Sequence, residues 1–169
     1  METNLTVIIP ILTLDEKEKD LFANAIKGIE DQSNPAEKII IVVPKNSGIK
    51  KALDSFDFTD ETKKLISVIE NNGETDYCSQ INLGVESVET EWFSILEIDD
   101  VYSAIWFKNF IEYKEYYKDM DLFLPIVIDV NTENKFIHFS NEPVWARDFS
   151  EKMGYLDYDS LLNFPNFQI

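Results

Sequence analysis

Along the first hundred residues, short continuous apolar runs alternate with segments whose apolar positions recur every three or four residues. Residues 5–10 and 38–43 have the length and β-branched content of covered strands, and Pro10 and Pro44 close them. Between them Leu21, Phe22, Ala25, Ile26 and Ile29 share one face of a helix. Thr13 and Glu16 are spaced to open that helix as a capping box, and Ser33-Asn34-Pro35 ends it. Strand, helix, strand in this order predicts a right-handed crossover in a parallel sheet. Two short helices are expected over 49–53 and 60–65, a third strand over 65–69 and a turn at Asn71-Asn72-Gly73. Asp76 is placed to cap a helix that turns Tyr77, Ile81, Val85 and Val88 inward.

That helix leads into the stretch around which the chain is organised, Trp92-Phe93-Ser94-Ile95-Leu96-Glu97-Ile98-Asp99-Asp100. Strand-suited residues run straight into three carboxylates, which are then held on rigid backbone at the edge of a sheet. Hard divalent cations take oxygen ligands and are commonly shared between protein carboxylates and substrate phosphates. The stretch therefore reads either as a metal-assisted phosphate site or as a solvated acidic turn. Beyond it Ser103 is placed to cap an aromatic helix with Trp106, Phe110, Tyr113 and Tyr117 on one stripe, a pattern of core packing. Residues 122–129 and 135–139 read as a hairpin about Asn131-Thr132-Glu133-Asn134. A short amphipathic helix is expected from Arg147 onward.

Composition narrows the partners. The 169 residues suit one domain, and 44% apolar with 28% charged residues describes a folded chain. With 32 acidic against 15 basic residues the formal charge is −17, a field that repels nucleic acid and anionic membranes. Cys78 is the one cysteine, so no internal disulfide forms; lacking an activating neighbour, it is expected as a buried, inert thiol. His138, the one histidine, lies in a predicted strand and reads as a packed or surface residue. No apolar run approaches membrane-spanning length, and the opening Met-Glu-Thr-Asn lacks a signal peptide's basic flank, so a soluble, cytoplasmic protein is expected. Zinc-ligand spacing, a glycine-rich phosphate loop and a serine-triad signature are all missing.

The order of these segments resembles the GT-A fold, and more narrowly the family 2 glycosyltransferases. Val7-Ile8-Ile9-Pro10 is similar to that family's first strand, and Leu21, Ala25-Ile26, Ile29 and Gln32 to its first helix and following glutamine. The second strand is matched by residues 39–43. Asn72-Gly73 and Asn82-Leu83-Gly84-Val85 resemble the loop and helix before the central acids, and residues 91–100 the strand ending in a DxD-type motif. Gly154-Tyr155-Leu156-Asp157 resembles a segment on the acceptor side. The resemblance spans about residues 4–157. It implies one α/β domain over 1–169 with a mostly parallel sheet flanked by helices and a small antiparallel C-terminal portion. A nucleotide-sugar half would occupy about 1–100 and an acceptor-side half about 101–169.

It further implies transfer of a sugar from a nucleotide-diphosphate donor to an unknown acceptor, with Mn2+ or Mg2+ held by Asp99 and Glu97. Donor contacts would come from Pro10, Thr13, Asn46, Ser47, Asn82, Glu97 and Asp100. Asp157, Asp159 and Glu142 are the candidate general bases, each read more readily as an exposed loop carboxylate in so acidic a chain, and Trp145 lies where the family binds acceptor sugars. Three departures stand against this. Pro44 and Lys45 occupy positions where the family carries nucleotide-binding aspartates, and Ile81 replaces a frequent arginine. The Glu-Asp pair expected soon after Asp157 is not found within 158–169. A fragment of a longer enzyme and an inactive structural or protein-interaction module both fit that last observation.

Overall fold

The structure, a computed structural model, describes residues 3–74, 76–123, 127–131 and 135–139. The chain divides into two compact units, Met1–Asp119 and Met120–Ile169.

The first unit is built on a four-stranded parallel sheet of β1 (Leu5–Pro10), β2 (Lys38–Pro44), β3 (Ile66–Asn71) and β4 (Trp92–Ile95), in the order β3-β2-β1-β4. Its centre is dry: every residue of β1 is buried, and Ile39, Ile40, Ile41, Val42 and Val43 of β2 are fully so. Each such side chain contributes on the order of 1.5–3 kcal/mol by leaving water, which is why two aliphatic runs fix the middle of the sheet. Alternation sends Ile8, Ile40 and Val42 to one face, where Ile69, Leu83, Val85 and Val88 cover them. The mostly parallel sheet with flanking helices is the architecture expected from the alternating pattern.

Helix α1 (Glu16–Glu30) buries Phe22, Ala25, Ile26 and Ile29 as their spacing requires, but it opens two residues later than the sequence suggests. Asp15 is the cap: its carboxylate accepts from the amides of Lys17 and Glu18, and the Glu18 side chain accepts from the Asp15 amide. Thr13 instead donates its hydroxyl to Glu18 Oε1 at 2.8 Å. The short helices α2 (Ile49–Leu53) and α3 (Asp60–Leu65) fall where expected, while β3 begins one residue late.

Helix α4 (Tyr77–Glu86) is capped by Asp76, whose carboxylate accepts from the Ser79 amide. Its fully inward positions are Gln80, Ile81 and Gly84, with Tyr77 and Val85 only half-buried and Val88 beyond the helix end. Gly84 is there because α4 lies hard against the sheet: a β-carbon on it would come within 2.6 Å of Ile8 Cγ2. Cys78 faces outward and is exposed, correcting the expected buried thiol; the α4 face that Gln80 and Ile81 turn inward leaves it on the solvent side.

Helix α5 (Trp106–Tyr116) is not capped by the Ser103 side chain. Gln32 does that from a distance: its Oε1 accepts from the Phe107 amide at 3.0 Å, and its Nε2 donates to Gly28 O and Ser103 O. The buried face of α5 is Phe107, Phe110 and Ile111, so of the expected aromatic stripe only Phe110 is fully covered and Tyr113 is 55% exposed.

In the second unit β5 (Ile128–Val130) pairs antiparallel with β6 (Phe136–Phe139), the hairpin predicted but with a much shorter first strand. Asp129 and His138 sit opposite each other across it, Oδ2 to Nδ1 3.0 Å, which gives the exposed histidine the partner its sequence context hides. Among the described residues no helix is long and apolar enough to cross a membrane.

Candidate functional site

Because all four strands of the first unit are parallel, their carboxyl ends, Pro10, Pro44, Asn71 and Ile95, share one edge of the sheet. The chain steps from β1 to β2 to β3 in one direction, then returns to place β4 on the other side of β1. Such a reversal splays the connections apart and leaves a crevice at the strand ends, the usual ligand position in open α/β sheets. Here the reversal falls between β1 and β4.

β4 delivers the acids to that point of the edge. Ile95 pairs with Ile8, and the Leu96 amide still donates to Ile8 O at 2.9 Å, so the register brings Glu97 level with Pro10. The backbone then turns: Asp100 N donates to Glu97 O at 3.2 Å, with Ile98 and Asp99 at the corner. Glu97, Asp99 and Asp100 are all exposed. β4 is shorter than the sequence suggests and has β1 as its one neighbour in the described sheet, rather than lying inside it.

Two tyrosines support this turn, and neither was singled out for it by the sequence. Tyr77, at the start of α4, donates its hydroxyl to Glu97 Oε1 at 2.9 Å. Burial pushes its phenol well above the ordinary range, the hydrogen bond to Glu97 and the charges of Glu97 and Asp100 adding to it, so Tyr77 keeps the proton it donates. Tyr102 is held behind the turn, its hydroxyl 2.7 Å from Ser94 Oγ. Its phenol is also raised, by burial first and with Asp100 adding, against the Ser94 hydrogen bond. The segment after the turn is tied to α1, Ser33 N donating to Ala104 O at 3.0 Å beside the Gln32 contacts. No sequence signal marks Tyr77 as Glu97's partner, since twenty residues and a sheet crossing separate them.

The other predicted donor residues scatter along the edge. Pro10 is buried beside Glu97's level, whereas Thr13 is exposed and engaged with Glu18. Asn46 and Ser47 follow β2; Asn46 adopts a left-handed φ of 61°, and Ser47 Oγ accepts from the Ile49 amide at 3.3 Å. Asn46 lines an open hollow of about 490 Å³ with Gly48, Lys50, Lys51, Asp54 and Glu70, across which Lys50 and Glu70 pair at 3.5 Å. A second hollow, of about 330 Å³, lies at the opposite edge, by Lys38, Lys64 and Glu89. Neither is lined by Glu97, Asp99 or Asp100. Asn82 is on the exposed side of α4. Asp157, Asp159, Glu142 and Trp145 lie outside the described residues, as do the segment from Gly154 to Asp157 and the helix expected from Arg147.

Among the described residues no group of three or more His, Cys, Asp or Glu side chains is arranged to hold a metal ion. A cation at the turn would take one or two carboxylates and draw its remaining oxygens from a ligand, as magnesium commonly does.

No protein-family profile and no curated protein sequence matches the chain. Solved structures do. The S. aureus TarS fragment 1–349 superposes with a TM-score of 0.53 at 11% identity, over 96% of this chain and 53% of that one. The 4-diphosphocytidyl-2C-methyl-D-erythritol synthase of Anaerococcus prevotii gives 0.45 at 11% identity, over 81% of this chain and 63% of that one. The chain spans about half the length of the TarS fragment. At such identity the likeness defines the architecture alone: the protein has a GT-A-like fold.

Proposed function

We propose that this domain binds a nucleotide-diphosphate sugar at the β1/β4 crevice, in the manner of a family 2-like glycosyltransferase, for transfer of the sugar to a hydroxyl acceptor. The observation that carries this is Glu97, brought level with Pro10 at the point where the strand order reverses and held there by the Tyr77 hydroxyl. The GT-A-like fold, shared with the TarS fragment, is in keeping with it.

Mn2+ or Mg2+, when bound, would neutralise charge building on the departing diphosphate. Asp99 and Glu97 are the residues that would hold it, with Asp100 beside the donor ribose or phosphate. Tyr77 fixes one Glu97 oxygen, so the carboxylate meets its ligand already oriented. Pro10, Asn46, Ser47, Thr13 and Asn82 are the remaining candidate donor contacts. The acceptor hydroxyl needs a general base within hydrogen-bond reach, a role for which the sequence offers Asp157 and Asp159. In this arrangement residues 1–100 serve the donor and 101–169 the acceptor side.

A second reading, a GT-A-like module that serves as a structural or interaction domain, is favoured by Pro44 and Lys45 after β2 and by Ile81 on α4, where the resembled family carries aspartates and an arginine. Thermal unfolding with manganese and a panel of nucleoside diphosphates separates the two. Stabilisation that requires both ligands and disappears in Asp99→Ala supports the donor site. A melting temperature indifferent to every combination supports the structural module.

A further inference from the structure

Gln80 is 0% exposed, and neither its amide nitrogen nor its carbonyl oxygen has a hydrogen-bond partner. Leaving such a group unpaired costs about 1–3 kcal/mol, so a sequence keeps it in a core only when something repays that loss. Its place in the fold narrows what that is. α4 runs from the carboxyl edge of the sheet, where β3 ends, back to the amino edge, where β4 begins. Gly84 lies on Ile8 and Val42, and Gln80 is one helical turn nearer the carboxyl edge. Two residues beyond Ile8 and Val42, on the same face, β1 and β2 end in Pro10 and Pro44. Helical side chains lean toward the helix N-terminus, so Gln80 reaches toward these strand ends. Neither proline has an N–H to offer an amide oxygen.

We propose that the Gln80 carboxamide recognises the base of a nucleotide ligand at the carboxyl edge, an inference that rests on the donor-site reading above. The chemistry selects among the parts of such a ligand. A phosphate offers acceptors only and would leave Oε1 unpaired. A nucleobase edge presents a donor and an acceptor side by side in one plane, the complement of a carboxamide. The amide is sealed in the free protein, so the base engages a form in which the strand-end chain above Gln80 has parted, and binding draws the population toward that form.

Gln80→Met, close to isosteric and apolar, tests this. Three results are expected together. The free variant melts higher than wild type, because an unpaired polar group has gone. Its affinity for nucleoside diphosphates falls about tenfold or more. Its response to magnesium pyrophosphate, which has no base, is unchanged. In unmutated 15N-labelled protein the Gln80 side-chain NH2 resonances move with a nucleoside diphosphate and stay still with pyrophosphate. A lower melting temperature for the free variant, undiminished nucleoside diphosphate binding, or NH2 resonances that ignore the base would each overturn the inference while leaving the donor site standing. If wild type responds to no nucleoside diphosphate, the donor-site reading and this inference fall together.

Discussion

The chain leaves β2 and leaves β4 at the same edge of one parallel sheet, yet the two exits are built for different things. After β2 come Lys45, a left-handed Asn46 and Gly48, with Lys50 and Lys51 following, beside an open hollow where lysines and carboxylates balance. After β4 come three exposed carboxylates, with Tyr77 on the first and the half-buried Tyr102 behind them. The β2 exit combines short-range bonds, Ser47 N to Pro44 O and Ile49 N to Ser47 Oγ, with ties to the end of β3, Lys45 N to Asn71 O and the Lys50–Glu70 pair. The β4 exit is held by elements distant in sequence, α1 through Gln32 and α4 through Tyr77. Both exits are tied to distant elements, and charge is what separates them: the β2 exit sets lysines against carboxylates, whereas the β4 exit gathers like charges that repel one another and leans on the Tyr77 hydroxyl. That difference favours the β4 exit as the place where function concentrates.

Substitutions can break this contrast or sharpen it. The largest effect is expected from Gly84→Val, since α4 supports both exits through its contact with Ile8 and Val42. A β-carbon there already falls 2.6 Å and 3.3 Å from their Cγ2 atoms. Overpacking of this kind costs about 3 kcal/mol, read as a lower urea midpoint at unchanged slope, with both exits loosened equally. Gln32→Ala should be smaller and one-sided. It takes the side-chain partner from the buried Phe107 amide and from Gly28 O, and one of two donors from Ser103 O, which keeps the Trp106 amide, a loss of about 1–2 kcal/mol. Hydrogen exchange should quicken at amides 103–107 and hold steady at 45–48; equal acceleration at both would erase the distinction drawn here.

The smallest effect is pH-dependent. Hydrogen bonds from the Ser79 hydroxyl and amide hold the Asp76 carboxyl below its ordinary value of 3.8. An acid depressed by folding stabilises the fold above its unfolded pKa and loses that contribution as pH falls through the folded one. Asp76→Ala should therefore melt a few degrees below wild type at neutral pH, the gap closing as pH drops beneath 3.8. A gap that persists unchanged in acid would mean that the cap acts through packing and not through charge.

Much of the scaffold was legible from the chain alone. Runs such as Ile39-Ile40-Ile41-Val42-Val43 have no stable place outside a covered parallel strand, and the spacing of Phe22, Ala25, Ile26 and Ile29 admits one helical face. The misplacements cluster where a nearby competitor decides. Asp15 with Glu18 displaced Thr13 with Glu16 as the capping box, because Asp15 stands immediately before the first helical residue. Gln32 took the capping role assigned to Ser103, and Cys78 turned outward because the inward face of α4 runs through Gln80, Ile81 and Gly84.

Sequence by itself determined the strands, most helices and the acids that follow β4, since each depends on local composition and periodicity. Tertiary structure decided what those acids stand beside. The register that sets Glu97 level with Pro10, the Tyr77 hydroxyl on its carboxylate and the orphaned amide of Gln80 are products of chain crossing, and contacts between residues far apart leave no period for a sequence to show.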